Sequence, residues 1–145
     1  MKILFLTSAH NSLSQRLLVE LTARSHDIRV CVAATGETMI AAASNELPDL
    51  IIAPMLKIAI PEQIWSRYIC LIVHPGIKGD RGPSSLDWAI ANCERTWGVT
   101  ILQATAELDA GPILGLARVC SGRRSSLEKQ PLSWTGHRSC SAGRS

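Results

Sequence analysis

Between Val73 and Ile113 the chain sets out, in this order, His74-Pro75-Gly76, a glycine-rich turn Gly76-Ile77-Lys78-Gly79-Asp80-Arg81-Gly82, then Trp88-Ala89-Ile90, Trp97-Gly98-Val99-Thr100 and Leu108-Asp109-Ala110-Gly111-Pro112-Ile113. Residues 68–74, which lead into it, are apolar almost without interruption, as in a parallel strand covered on both faces. Pro75-Gly76 breaks that strand, so His74 stands where the chain leaves the sheet.

Upstream, apolar runs alternate with helical spacing. Residues 2–7 form a short strand that ends in Ser8-Ala9-His10-Asn11, and Asn11 or Ser12 can cap a helix carrying Leu13, Leu17, Leu18 and Leu21 on one face. Residues 27–34 read as a second buried strand, 48–54 as a third, and 38–45 as the helix between them. Downstream, Ser84-x-x-Asp87 opens a helix in the manner of a capping box, with Trp88, Ala89 and Ala91 behind it. Residues 99–104 read as a fifth strand and 113–117 as the start of a sixth. This alternation predicts an α/β domain, a Rossmann-like, doubly wound and mostly parallel sheet with helices on both faces. Ligands of such sheets bind beyond the carboxyl ends of the strands. The loop after the first strand has no G-x-G-x-x-G, which argues against a dinucleotide site.

Composition sets the outer bounds. A hydrophobic fraction of 46% with 19% charged residues over 145 positions is that of an ordinary globular domain. No apolar run approaches the roughly 20 residues of a membrane span, and the opening Met1 to Thr7 is too short for a signal peptide, so the expected location is the cytoplasm, with no membrane partner. Five cysteines without C-x-x-C spacing signal neither a disulfide framework nor a metal site, and Cys31 and Cys70 read as small core residues. The net charge of +3 is uneven: residues 1–114 hold nine Lys/Arg against eleven Asp/Glu, a net of −2, whereas residues 115–145 hold six against one, a net of +5. Residues 115–145, a low-complexity Arg/Ser-rich stretch without either structural period, read as a disordered or frameshifted tail rather than as a nucleic-acid-binding arm.

The order of motifs from His74 to Gly111 resembles that of the formyltransferases that use 10-formyltetrahydrofolate. Their signature runs from a strand-end His through Arg-Gly and Trp-Ala-Ile to Gly-Val-Thr and Leu-Asp-x-Gly, matched here by His74, Arg81-Gly82, Trp88-Ala89-Ile90, Gly98-Val99-Thr100 and Leu108-Asp109-Ala110-Gly111. The variant His74-Pro75-Gly76-Ile77-Lys78-Gly79-Asp80-Arg81-Gly82 is most similar to the N-terminal domains of the nickel-iron hydrogenase maturation branch. The resemblance covers residues 1–114. It implies 10-formyltetrahydrofolate as co-substrate, and hydrogenase maturation proteins as partners. It also implies a following crotonase-like domain that would pass the formyl group through coenzyme A to carbon monoxide, and coenzyme A is expected only with that domain, of which these 145 residues contain nothing.

Formyl transfer develops negative charge on the formyl oxygen and requires a proton to leave the attacking group. A His-Asp pair serves both needs, with a protonated imidazole donating to the oxygen and a carboxylate fixing its charge state. The expected catalytic pair is therefore His74 and Asp109, and the resemblance assigns Gly76, Ile77, Asp80, Arg81 and Gly82 to the folate-binding loop. Two departures stand against a conventional enzyme of this type. Ile72 occupies the place where the family has an Asn two residues before the His, and the His-to-Arg loop is one residue shorter, with Gly76-Ile77-Lys78-Gly79 in place of Ser-Leu-Leu-Pro. Ser84, Ser85 or a backbone amide near Gly76 are the candidate replacements for the lost donor. A folate-binding module without turnover and a non-functional gene fragment are the alternative readings. His10, His26 and His137 receive no role, and Trp88 and Trp97 read as packing residues.

Overall fold

The computed structural model describes residues 1–82 and 84–120; Pro83 and residues 121–145, most of the stretch read as a tail, lie outside the described residues. Among the described residues, six strands, β1 (Lys2–Thr7), β2 (Asp27–Val32), β3 (Leu50–Pro54), β4 (Cys70–His74), β5 (Thr96–Gln103) and β6 (Ile113–Cys120), form one sheet in the order β2-β1-β3-β4-β5-β6. Four helices among the same residues connect them: α1 (Ser12–Ala23), α2 (Gly36–Glu46), α3 (Glu62–Trp65) and α4 (Ser85–Ala91).

Pairing is parallel from β2 through β4 and antiparallel from β4 to β5 and from β5 to β6. Strand periodicity divides the core. Ile3 and Phe5 of β1, Ile52 of β3 and Val73 of β4 face one side, where Leu13, Leu17, Leu18 and Leu21 of α1 cover them. Leu4, Leu6, Ile51, Ala53, Cys70 and Ile72 face the other, against Met39 and Ala43 of α2 and Ile64 of α3. Helices therefore flank both faces, as the alternation predicts. Each central apolar run is continuous because both of its faces are covered.

Local chemistry sets the helix ends. Asn11 caps α1, its side chain accepting from the Ser14 amide at 2.8 Å while the Ser14 hydroxyl accepts from the Asn11 amide at 2.9 Å. Thr35 caps α2, and the left-handed Leu47 ends it.

The structure corrects several sequence expectations. Among the described residues β2 is an outer strand rather than a buried one, paired only with β1, and Val30 and Val32 are exposed. Ser84 makes no side-chain cap bond to α4, so the capping-box reading fails there. Trp88 is 66% exposed, not packed, since it points away from the sheet-facing Ser85 and Ala89. β5 begins at Thr96, three residues early, and the short helix α3 was not foreseen. Cys93 is disulfide-bonded, whereas Cys31 and Cys70 are free. β6 runs across the 114/115 boundary expected from the sequence.

Candidate active site

β4 ends at His74, and alternation along the strand puts Cys70, Ile72 and His74 on one face of the sheet. Only the first two find an apolar neighbourhood. His74 is 4% exposed and instead meets polar groups contributed by two loops and by the first residue of α4. Its Nδ1 lies 3.3 Å from Asp109 Oδ2 and its Nε2 3.4 Å from Asp80 Oδ2 and 3.1 Å from Ser85 Oγ. The two residues singled out from sequence, 35 positions apart, thus meet directly.

The motifs around them explain how. His74 pairs with Thr100 across the antiparallel β4–β5 ladder. The Thr100 hydroxyl donates to the Gly76 carbonyl at 2.7 Å, and the Trp97 indole N–H donates to the Pro75 carbonyl at 2.8 Å. Trp97-Gly98-Val99-Thr100 is therefore the clamp that holds the turn after His74, and Trp97 is a half-buried hydrogen-bond donor as well as a packing residue. Glycine at 76 leaves room for the pair: a Cβ there would overlap both His74 Nε2 and Asp80 Oδ2, so one of the two side chains would have to move. At Gly98 a Cβ would sit 2.8 Å from the Ala117 carbonyl oxygen of β6.

Asp109 occupies the connection from β5 to β6 in a left-handed conformation, φ 52°, and its carboxylate accepts the Gly82 amide at 3.1 Å. Gly111, two residues on, lies so close to the backbone of Gln103 that a Cβ would overlap it. The Leu-Asp-x-Gly motif thus couples a carboxylate on a left-handed residue to a backbone crossing.

Burial disfavours a charged imidazole at His74, but hydrogen bonds and opposite charge from Asp109, then from Asp80, outweigh it and hold the pKa above the usual histidine value. Cys70 lies on the same face of β4, and burial pushes its thiol up to about 12, which leaves it a packing residue.

A cavity opens beside the pair, lined by Met55, Leu56 and Lys57 from the loop after β3, by Ile72, Val73, His74 and Pro75, and by Gly82 and Asp109. The expected loop residues divide accordingly. Gly82 lines the cavity and holds Asp109; Asp80 contacts His74; Gly76 lies under the imidazole. Ile77 is exposed, with its side chain near Gly98, and Arg81 pairs with Glu107 at 3.6 Å on the surface, so neither lies on the cavity wall. Met55, Leu56 and Lys57 escaped the sequence reading. Their signal was positional: they follow the carboxyl end of a parallel strand, where such sheets bind ligands. The Thr7 hydroxyl bonds the Pro54 carbonyl at 3.2 Å and the Ser8 hydroxyl accepts the Lys57 amide at 2.9 Å, so the loop after β1 braces this wall. His10 is exposed and takes no part.

Ile72 is the conspicuous member of the wall. It brings a hydrocarbon side chain to a position one strand repeat from His74, 8% exposed and offering no hydrogen bond.

The sequence model of the formyl transferase family matches residues 32–121. The hydrogenase maturation factor HoxX of Bradyrhizobium diazoefficiens is 50% identical over 113 residues, which is 78% of this chain and 20% of HoxX. A methionyl-tRNA formyltransferase of Wolbachia pipientis is 30% identical over 101 residues, covering 66% of this chain and 34% of that protein. Among solved structures, HypX from Aquifex aeolicus in complex with tetrahydrofolic acid superposes with a TM-score of 0.79 at 49% identity, covering 84% of this chain and 22% of HypX. The chain thus spans about a fifth of the length of its hydrogenase-maturation relatives.

Proposed function

The chain belongs to the formyl transferase family, and from that premise we propose that it moves the formyl group of 10-formyltetrahydrofolate, within nickel-iron hydrogenase maturation, with His74 and Asp109 as the working pair. The observation that carries this reading is the 3.3 Å contact between His74 Nδ1 and Asp109 Oδ2, both of which line a cavity at the carboxyl end of β4. The cavity chemistry fits a folate. Met55, Leu56 and Ile72 suit an aromatic ring system, and the Lys57 ammonium suits an acidic tail.

The co-substrate supplies an activated formyl carbon, and the chain's own groups handle charge and protons around it. His74, held toward its protonated form, donates a hydrogen bond to an oxygen gaining negative charge. Asp109 fixes the ring through Nδ1, keeps the cation paired, and takes up the proton that the attacking group gives away, which then passes to the folate nitrogen as its bond to the formyl carbon breaks. General acid-base help of this kind is worth roughly 10²–10⁴-fold. In the proposed route the formyl group passes to coenzyme A and ends as carbon monoxide for the hydrogenase iron, a step assigned to a crotonase-like partner domain. A second reading rests on Ile72: with a hydrocarbon where the family places an amide donor, the site binds folate without turning it over.

Purified protein mixed with 10-formyltetrahydrofolate decides between them. Slow release of tetrahydrofolate, abolished by His74→Ala and by Asp109→Ala in variants that keep the wild-type circular dichroism, is the expected result, and Ile72→Asn is expected to raise the rate by up to about 10²-fold. Folate binding with no release would establish the second reading, and turnover indifferent to both alanine changes would overturn the first.

A further inference from the structure

Ser85 lies in the first turn of α4, 3% exposed, off the cavity wall. Its Oγ sits 3.1 Å from His74 Nε2 and donates to the Gly82 carbonyl oxygen at 3.2 Å. A serine hydroxyl has one proton. With that proton on Gly82, only lone pairs of Oγ face the imidazole, and Nε2 has to be the donor. Across the ring, Asp109 Oδ2 lies 3.3 Å from Nδ1, an ion pair when the ring is protonated and an oxygen that can only accept. Both nitrogens then have acceptors, which is the complement of a doubly protonated ring.

We propose that Ser85 is a positioning residue for His74: it accepts the Nε2 proton, fixes the tilt of the ring and keeps it cationic, leaving Asp80 as the exchangeable partner that gives up Nε2–H to an incoming oxygen. The proposal rests on the reading of His74 as proton donor.

The two acceptors on the Nε2 side differ in kind. Ser85 is neutral, buried and anchored at the start of a helix. Asp80 is 28% exposed at a longer 3.4 Å, on a turn bounded by Gly79 and Gly82, both with positive φ. A neutral oxygen orients the cation without cancelling its charge, whereas a second carboxylate would quench it if held as firmly as Asp109. The charged groups that face the ring or line its cavity are Asp109 from the β5–β6 connection, Asp80 from the loop after β4 and Lys57 from the loop after β3. Ser85, His74 and Asp109 also stand in the order of a nucleophilic triad, but a nucleophile needs access to the substrate and its proton directed at Nε2. Ser85 has neither.

Long-range proton–nitrogen NMR of the full chain reads the protonation of each histidine ring, and His74→Gln identifies the His74 signals among the four histidines. In Ser85→Ala the His74 titration midpoint is expected to fall, and the alkaline limb of the kcat profile to move in the same direction. Ser85→Thr, which keeps the acceptor, is expected to hold both near wild type. Ser85→Cys, close in size but a poor acceptor, supplies the same comparison should the alanine variant not fold. A midpoint in Ser85→Ala or Ser85→Cys equal to or above that of wild type, with only the melting temperature lowered, would overturn the proposal, as would a Thr variant that behaves like Ala. The titration requires no turnover. A wild-type protein that releases no tetrahydrofolate would remove the formyl-transfer reading and leave the midpoint comparison to judge Ser85.

Discussion

A single imidazole, almost sealed from solvent, touches two carboxylates and a hydroxyl, and its protonation is the chemical variable on which the site turns. Because its folded-state pKa lies above the ordinary value of about 6.5, the folded chain binds the proton more tightly than the unfolded chain does. The stabilisation is therefore complete below about pH 6.5 and is lost as the pH rises through the folded-state value. Urea titrations at a series of pH values should show the stability gap between wild type and His74→Asn largest near pH 6 and narrowing toward pH 9. A gap that widens with pH would mean that burial prevails over the carboxylates. At this scale the sequence was readable in part. His74 and Asp109 were legible because each ends or interrupts an apolar pattern inside a known order of motifs. Ser85 appeared only as one of several candidate donors, since no periodicity reports which of two adjacent serines turns inward at the start of α4.

The β5–β6 hairpin does at the scale of elements what the side chains do around His74. Its first strand clamps the turn after β4 through Trp97 and Thr100, and its connection delivers Asp109 and then crosses Gln103 at Gly111. Gly111→Ala forces a Cβ against backbone rather than against a movable side chain, and should destabilise the domain by about 3 kcal/mol, the upper range for overpacking. Gly115→Ala, where the nearest atom to a new Cβ is 3.6 Å away, should change stability by less than about 1 kcal/mol in either direction. Thermal unfolding of the two variants side by side checks the contrast, and equal losses would show that the crossing relaxes freely. Apolar runs made the central strands plain in the sequence, but direction is invisible to them: β5 reads identically whether parallel or antiparallel. The exposed setting of β2 was hidden for a related reason. Its Val30-Cys31-Val32 has the composition of a covered strand, and only the sheet order reveals that among the described residues it has one neighbour.

At the largest scale, the described residues form a sheet whose two apolar faces are closed by helices from different parts of the chain, with the cavity at the carboxyl end where the central strands β3 and β4 hand over to loops. Fold class followed from alternation alone, whereas the cavity wall formed by Met55, Leu56 and Lys57 depends on how the β1 and β3 loops brace one another, a contact between residues 49 positions apart. The strand order also has a kinetic meaning. β5 and β6 are neighbours in sequence and pair as a hairpin, while β1 must wait for β3, whose Leu50 pairs with Ile3 across an intervening strand and two helices. Closing long loops before they are rewarded slows folding, so the hairpin should be structured early and the parallel half late. In chevron measurements, Thr100→Ser should lower the refolding rate, and Ile3→Val should act mainly on the unfolding rate. The opposite pattern would place the nucleus in the parallel half. On the expected order, the clamp on the turn that carries His74 exists before the wall of its cavity does, and the histidine is oriented before there is a pocket for it to serve.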